Sequence, residues 1–241
     1  MLTDEKLGVY DTLRRELALA LWDVGSVLTQ DMSHPLVVKR GEERGFLFPE
    51  HQDNPSLPLS PYFFNFRTKD DPRPGLLTHE VMTMAVRCMY ETAKRHKLAY
   101  DGIAGLPPAG VPFVQAYHKL HARFPVVKLE QEEKANGARG DIKIASGTPR
   151  ARNILVLNDV ITSADSKFKA IKALENWSFR AMNTLVLVDC EQGGAVELAA
   201  KGYSLWSVFS VTELFRFYVE ERRVPEALLD TLKGYRSRMA G

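Results

Sequence analysis

Cysteine is scarce in this chain of 241 residues: only Cys88 and Cys190 occur, far apart, with no Cys-x-x-Cys and no His/Cys cluster beside either. That excludes a disulfide-stapled scaffold and gives no zinc pattern, and it suits a reducing compartment. A surplus of charge of one sign is also missing, since 32 basic and 30 acidic side chains leave a net charge of +2. Such a balance makes no basic surface for nucleic acid, so no nucleic-acid partner is expected. No apolar run approaches the roughly 20 residues of a membrane helix. The opening Met1-Leu2-Thr3-Asp4-Glu5-Lys6 lacks the basic-then-apolar layout of a secretory signal. A cytoplasmic protein without a membrane partner is expected. Gly-x-Gly-x-x-Gly, Walker A, Gly-x-Ser-x-Gly and His-Glu-x-x-His are all absent, which leaves dinucleotide, NTPase, serine-hydrolase and zinc-peptidase chemistry without local support.

What the chain does have is an ordinary globular composition, 45% hydrophobic and 26% charged, and enough length for one main core. Tyr10, Leu13, Leu17, Ala20 and Val24 share one face at helical spacing and predict a first helix within residues 7 to 28. Between Leu47 and Gly75 fall six of the 13 prolines, which predicts a long irregular excursion. Its one apolar knot, Ser60-Pro61-Tyr62-Phe63-Phe64-Asn65-Phe66-Arg67, reads as a short edge strand. Thr78 can cap a helix running to about Lys97. Thereafter short apolar runs at 102–104, 126–129, 154–157, 185–188 and 205–209 alternate with helical patterns at 111–124, 166–176 and 195–201. This alternation predicts an α/β domain with a parallel sheet. Helical patterns from Val211 and from Pro225 close the chain.

In such sheets ligands collect beyond the carboxyl ends of strands. The strongest candidate is Asn153-Ile154-Leu155-Val156-Leu157-Asn158-Asp159-Val160-Ile161-Thr162-Ser163-Ala164-Asp165-Ser166-Lys167, a buried strand that ends in polar groups and turns into a helix. Its helix N-terminal amides suit an anion, and Asn158 and Asp159 could accept from sugar hydroxyls. The same pattern equally suits Asp159 or Thr162 as a plain helix cap. His118 and His121, three apart with no third ligand, read as a solvated helix face rather than a metal site. Arg14-Arg15 and Arg222-Arg223 read as solvated charge pairs, and Cys190 as a partly buried space-filler rather than a reactive thiol.

The stretch around Asn158 and Asp159 resembles the phosphoribosyl diphosphate (PRPP) motif of the type I phosphoribosyltransferases, and other segments resemble the orotate phosphoribosyltransferase branch. Ser60-Pro61-Tyr62-Phe63-Phe64-Asn65 is similar to that branch's base-site segment. Gly105-Leu106-Pro107-Pro108-Ala109-Gly110-Val111-Pro112 is similar to its pyrophosphate loop, and Leu185 to Ala195 to its strand and turn at the base. The likeness runs over roughly residues 8 to 218. It implies the type I phosphoribosyltransferase fold: a central, mostly parallel sheet flanked by helices, with an N-terminal helix and hood over 1–75 and the α/β core over 76–241. It also implies a homodimer, Mg²⁺ carried by the substrate rather than by a dedicated ligand set, and transfer of phosphoribose from PRPP to a nitrogenous base in pyrimidine nucleotide metabolism. Carried over by position, Asp159 and Lys134 are the catalytic candidates. Asn158, Thr162, Ser163, Ala164, Asp165, Ser166, Pro108, Ala109, Gly110, Phe63, Phe64 and Cys190 are the substrate-binding candidates.

Departures from the pattern fall at polar positions. Asn158 stands for the first of two acids, Asp165 enters the phosphate loop, and Cys190 replaces an arginine that contacts the orotate carboxylate. From Lys128 to Lys143, where the family has a basic loop, four basic and four acidic side chains cancel. The segment Glu130 to Asp141 is expected to be mobile without ligand. Orotate transfer is therefore expected to be weak or lost. The alternative function is a non-catalytic module on the same fold that binds a phosphosugar or nucleotide.

Overall fold

The computed structural model describes residues 4–71, 74–133, 139–145 and 149–239. Helix α1 (Asp4–Asp23) opens the chain, with Tyr10, Arg14, Leu17, Ala18 and Leu21 buried along one face. It stops short of the predicted residue 28 because Gly25 adopts φ +73°, where a side chain would be strained. Next come β1 (Val27–Thr29), a hairpin of β2 (Val38–Arg40) and β3 (Glu43–Gly45), a one-turn α2 (Glu50–Asp53), and β4 (Tyr62–Phe64). The predicted strand in the proline-rich excursion is thus present as β4. It pairs antiparallel with β1 rather than with the central sheet.

The rest alternates. Helix α3 (His79–Arg95) starts at Thr78, whose Oγ1 accepts from the Val81 N–H at 3.2 Å, as the sequence predicts. It leads to β5 (Gly102–Gly105), α4 (Gly110–Leu120) and a hairpin of β6 (Leu129–Glu133) and β7 (Arg139–Ile144). There follow β8 (Asn153–Ile161), α5 (Asp165–Glu175), β9 (Arg180–Asp189), α6 (Gly194–Ala200), β10 (Ser204–Ser210), α7 (Val211–Glu220) and α8 (Ala227–Met239). The central sheet has the order β10-β9-β8-β5, all parallel. Its strands are continuous apolar runs because both faces are covered. In β8, Leu155 and Leu157 enter the core beneath α1, α3 and α7, while Ile154 and Val156 enter the opposite core with α5.

The expected strand at 126–129 is reduced to one parallel bridge, Val126 to Ile103, on the free side of β5. The Ile103 N–H donates to the Pro125 carbonyl and its carbonyl accepts from Val127. The chain then leaves the sheet for the β6–β7 hairpin, whose Leu129, Ile142 and Ile144 pack on the α5 side. Counting that bridged segment, the strand order is 2-1-3-4-5 in chain sequence. The order reverses between β5 and β8, the place beyond whose carboxyl ends ligands collect in open α/β sheets.

Two surface readings need correction. Arg14 is buried rather than solvated: its Nε donates to the Val208 carbonyl at 2.9 Å, it pairs with Glu213, and its guanidinium lies over Phe209 at 5.0 Å. Burial without such partners would be costly. Arg15 does pair at the surface, with Glu221. His118 and His121 do not form a solvated face either. The His118 Nδ1 lies 2.8 Å from the Phe124 carbonyl, and the His121 ring stacks on Tyr90 at 3.9 Å. Burial lowers the His121 pKa.

Candidate functional site

Two glycines bring the end of β5 and the turn after it against Leu157 and Asn158 in the middle of β8. A Cβ on Gly105 would overlap the Gly110 carbonyl, and one on Gly110 would overlap the Leu157 carbonyl and approach Asn158 Oδ1. Only glycine allows that approach. The turn from Leu106 to Ala109, with its cis Pro107-Pro108 bond, therefore starts directly against β8, where the Leu106 N–H donates to the Leu157 carbonyl at 3.1 Å. Asn158 is buried there; its Nδ2 donates to the Val160 carbonyl at 3.0 Å, while its Oδ1 has no partner. An unpaired buried acceptor is costly unless a ligand uses it.

Asp159 is half-buried beside it, and its Oδ1 accepts from the Val160 N–H at 2.7 Å. Burial pushes its carboxyl up, opposed by that N–H and by the charges of Lys167 and Arg67. Lys167 is itself buried in the first turn of α5 and donates to the Val160 carbonyl at 3.0 Å. Nothing in the sequence pattern marked it as part of this site; its placement follows only from the turn between β8 and α5.

The plain-cap alternative fails for both candidates. Ala164 is the N-cap of α5 and makes no side-chain cap, and its own N–H donates to Glu197 of α6 at 2.7 Å. Thr162 and Ser166 are half-buried in the turn, and Ser163 and Asp165 are exposed. The turn therefore presents hydroxyls and an N-terminal helix end, with the Asp165 carboxylate in the first turn of α5.

A cavity adjoins this turn between the segment from Phe48 to Phe64 and the ends of β8 and β9. Val160, Thr162 and Cys190 form its floor, and Phe48, Ser60, Tyr62 and Phe64 its roof. Tyr235 of α8 closes one side. The alternation of β4 puts Phe63 on the other face, stacked with Phe46 and Phe48 at 5.7 and 5.8 Å. Tyr62, which sequence reasoning passed over, faces the cavity instead and accepts from Gln192 Nε2 at 3.0 Å. Cys190 is buried and its thiol is pushed up to about 12 by desolvation, so the unreactive reading holds.

Past Cys190 the chain turns through Glu191 at φ +54°, held by Thr212 and by Arg236 of α8. Asp189, at the end of β9, accepts from the Glu191 N–H at 2.8 Å, and burial raises its pKa.

No protein-family model matches the chain. It is similar to the orotate phosphoribosyltransferase of Sulfurisphaera tokodaii, 24% identical over 177 residues that cover 73% of this chain and 85% of that protein. Its fold matches the solved orotate phosphoribosyltransferase of Aeropyrum pernix with TM-score 0.60 at 21% identity, covering 86% of this chain and 99% of that one. The UMP synthase of Leishmania donovani gives TM-score 0.64 at 20% identity over 93% of this chain and 42% of that one. The chain is orotate phosphoribosyltransferase-like.

In this phosphoribosyltransferase-like chain the fold brings together most of the residues singled out from the sequence. Gly110 lies against Leu157 and Asn158, Pro108 and Ala109 precede it in the same turn, and Asp159 and Thr162 to Ser166 follow along β8 and into α5. Phe64 and Cys190 line the neighbouring cavity. Lys134 lies outside the described residues. The Glu130 to Asp141 segment enters and leaves as the paired strands β6 and β7, and its middle is likewise outside them. Among the described residues no group of three or more His, Cys, Asp or Glu side chains could hold a metal ion. Asn158 Oδ1 and the Asp159 carboxylate are hard oxygen donors that suit a Mg²⁺ ligated mainly by a substrate's oxygens and water. No helix among the described residues is long and apolar enough to cross a membrane.

Proposed function

We propose that this protein binds PRPP in the crevice between β5 and β8 and transfers its phosphoribosyl group to a nitrogenous base. The observation that carries the reading is the packing of the Gly105 to Gly110 turn against Asn158, whose buried Oδ1 has no protein partner. Asn158 and Asp159 accept from the ribose hydroxyls. Thr162, Ser163 and Ser166, with the amides at the start of α5, hold the 5′-phosphate. Pro108, Ala109 and Gly110 face the pyrophosphate, together with Lys134. The base nitrogen forms a bond to the anomeric carbon as the bond to pyrophosphate breaks, and the base gives up its N–H proton. Positioning, and stabilisation of the cationic sugar by Asp159, supply the catalysis. Mg²⁺ carried by the substrate would supply charge neutralisation of the pyrophosphate, with Asn158 and Asp159 as the oxygen donors nearest to it.

The reading includes a hood over residues 1–75 on a core over 76–241, a homodimer and a cytoplasmic location in pyrimidine nucleotide metabolism. A second reading, phosphosugar or nucleotide binding without transfer, is favoured by one observation: Asp165 sits in the first turn of α5, where a phosphate would meet its charge. Pyrophosphate release from PRPP and Mg²⁺ on adding a panel of bases separates the two. The transfer reading expects base-dependent release that falls at least about a hundredfold in Asp159→Ala; tight PRPP binding with no release for any base supports the second. Light scattering on the same preparation is expected to give a dimer mass.

A further inference from the structure

The cavity between the segment from Phe48 to Phe64 and the ends of β8 and β9 has a wall chemistry that selects among bases. Four aromatic rings, Phe48, Tyr62, Phe64 and Tyr235, surround it. They suit a flat ring, which stacks on such faces. Its polar groups are almost all neutral: the Tyr62 hydroxyl and Gln192 amide bond to each other, and the Ser60 hydroxyl donates to the Tyr62 carbonyl at 2.8 Å. Cys190 on the floor stays a thiol.

Among the lining residues there is no Lys or Arg, and the single charged one is Glu50, at the exposed rim. The carboxylate of Asp189 lies one residue behind Cys190. Among the described residues four cations stand near and none is in the wall: Arg67 acts on Asp159, Arg238 acts on Tyr235 and lies 3.9 Å from Glu43, and the other two are engaged. Arg236 is paired with Glu191. Lys167 is beneath the floor, bonded to the Val160 carbonyl and within Coulombic reach of Asp159. A ligand carboxylate placed here would lose its water, meet Glu50 at the rim, and find no cation in the wall to pair with.

We propose that this cavity takes an uncharged planar heterocycle, one without a carboxylate, as the acceptor base. The inference rests on the phosphoribosyl-transfer reading for its role, but the selectivity follows from the cavity wall alone. It places specificity with Cys190 and Glu50, the two positions where charge would reverse it. An arginine at 190 would bring a bidentate donor to the floor, and a glutamine at 50 would remove the repulsion at the rim.

The test uses two pairs of probes that differ by a carboxylate, uracil against orotate and nicotinamide against nicotinate. Each is titrated into the full-length protein with and without PRPP and Mg²⁺, by calorimetry or ligand-observed NMR. The uncharged member of each pair is expected to bind at least about tenfold more tightly. Glu50→Gln, at an exposed site, is expected to narrow both gaps, and Cys190→Arg to narrow or reverse them if that variant folds. Lys167→Met checks the cation beneath the floor and is expected to leave both gaps in place.

Orotate and nicotinate binding as well as their uncharged partners would overturn the proposal, as would no binding by any probe, or loss of carboxylate binding in Lys167→Met. Should PRPP itself fail to bind, the transfer reading falls, and the titrations without PRPP still decide what the cavity accepts.

Discussion

Cys88 and Cys190 show how burial sets residue behaviour in this chain. Desolvation pushes both thiols up to about 12 from an ordinary value of 9.0. In the unfolded chain they ionise from about pH 9, while in the folded one they keep their protons. The folded state therefore holds more protons between those values, and stability falls as pH rises from about 9 towards 12. The buried phenols of Tyr62 and Tyr218, also raised, act in the same direction. The urea midpoint should be lower at pH 10.5 than at pH 8, and neither cysteine should react with iodoacetamide at pH 8 until the protein unfolds. Rapid native-state alkylation of Cys190 would contradict its buried placement.

At the same scale, Asn158 and Asp159 could be read from the sequence because a polar pair ends an apolar run. Arg14 and Lys167 could not. A basic residue on a helix normally reads as solvated, and only tertiary packing against Phe209 or beneath Val160 reveals otherwise. Tyr62 was recoverable in principle, since strand alternation puts it on the face of Phe64 and opposite Phe63.

Elements with strong local signals match the sequence reading closely. Helix α3 has its Thr78 cap, and β5, β8, β9 and β10 lie on the apolar runs at 102–104, 154–157, 185–188 and 205–209. Thr78→Ala removes the acceptor for the Val81 N–H and should cost about 1 kcal/mol. Urea denaturation would read this as a lower midpoint with an unchanged slope. No shift in midpoint would show that the cap bond contributes nothing. The elements that escaped the sequence reading are short and depend on distant partners. Strand β1 exists by pairing with β4. The β6–β7 hairpin carries Glu130, Gln131 and Glu132, a polar run that gives no strand signal until Ile142 and Ile144 are placed against the core.

For the molecule as a whole, the α/β class was legible because strand and helix signals alternate. The position of the site needed the sheet order, in which the single bridge at Val126 creates the reversal between β5 and β8. The segment from Phe48 to Phe64 adds what an open sheet lacks, aromatic rings over the strand ends, and α8 meets it through Tyr235, which packs on Tyr62, while Arg236 pairs with Glu191. Everything proposed about function depends on that crevice receiving a phosphoribosyl group.

The direct measurement is a calorimetric titration of the full-length protein with PRPP and Mg²⁺, alongside Asp159→Ala and Asp165→Gly. Saturable binding is expected, at least about tenfold weaker in Asp159→Ala and tighter in Asp165→Gly, where the charge facing the phosphate is gone. No binding heat in the unmodified protein, or equal affinity in all three, would contradict the assignment of this crevice to PRPP.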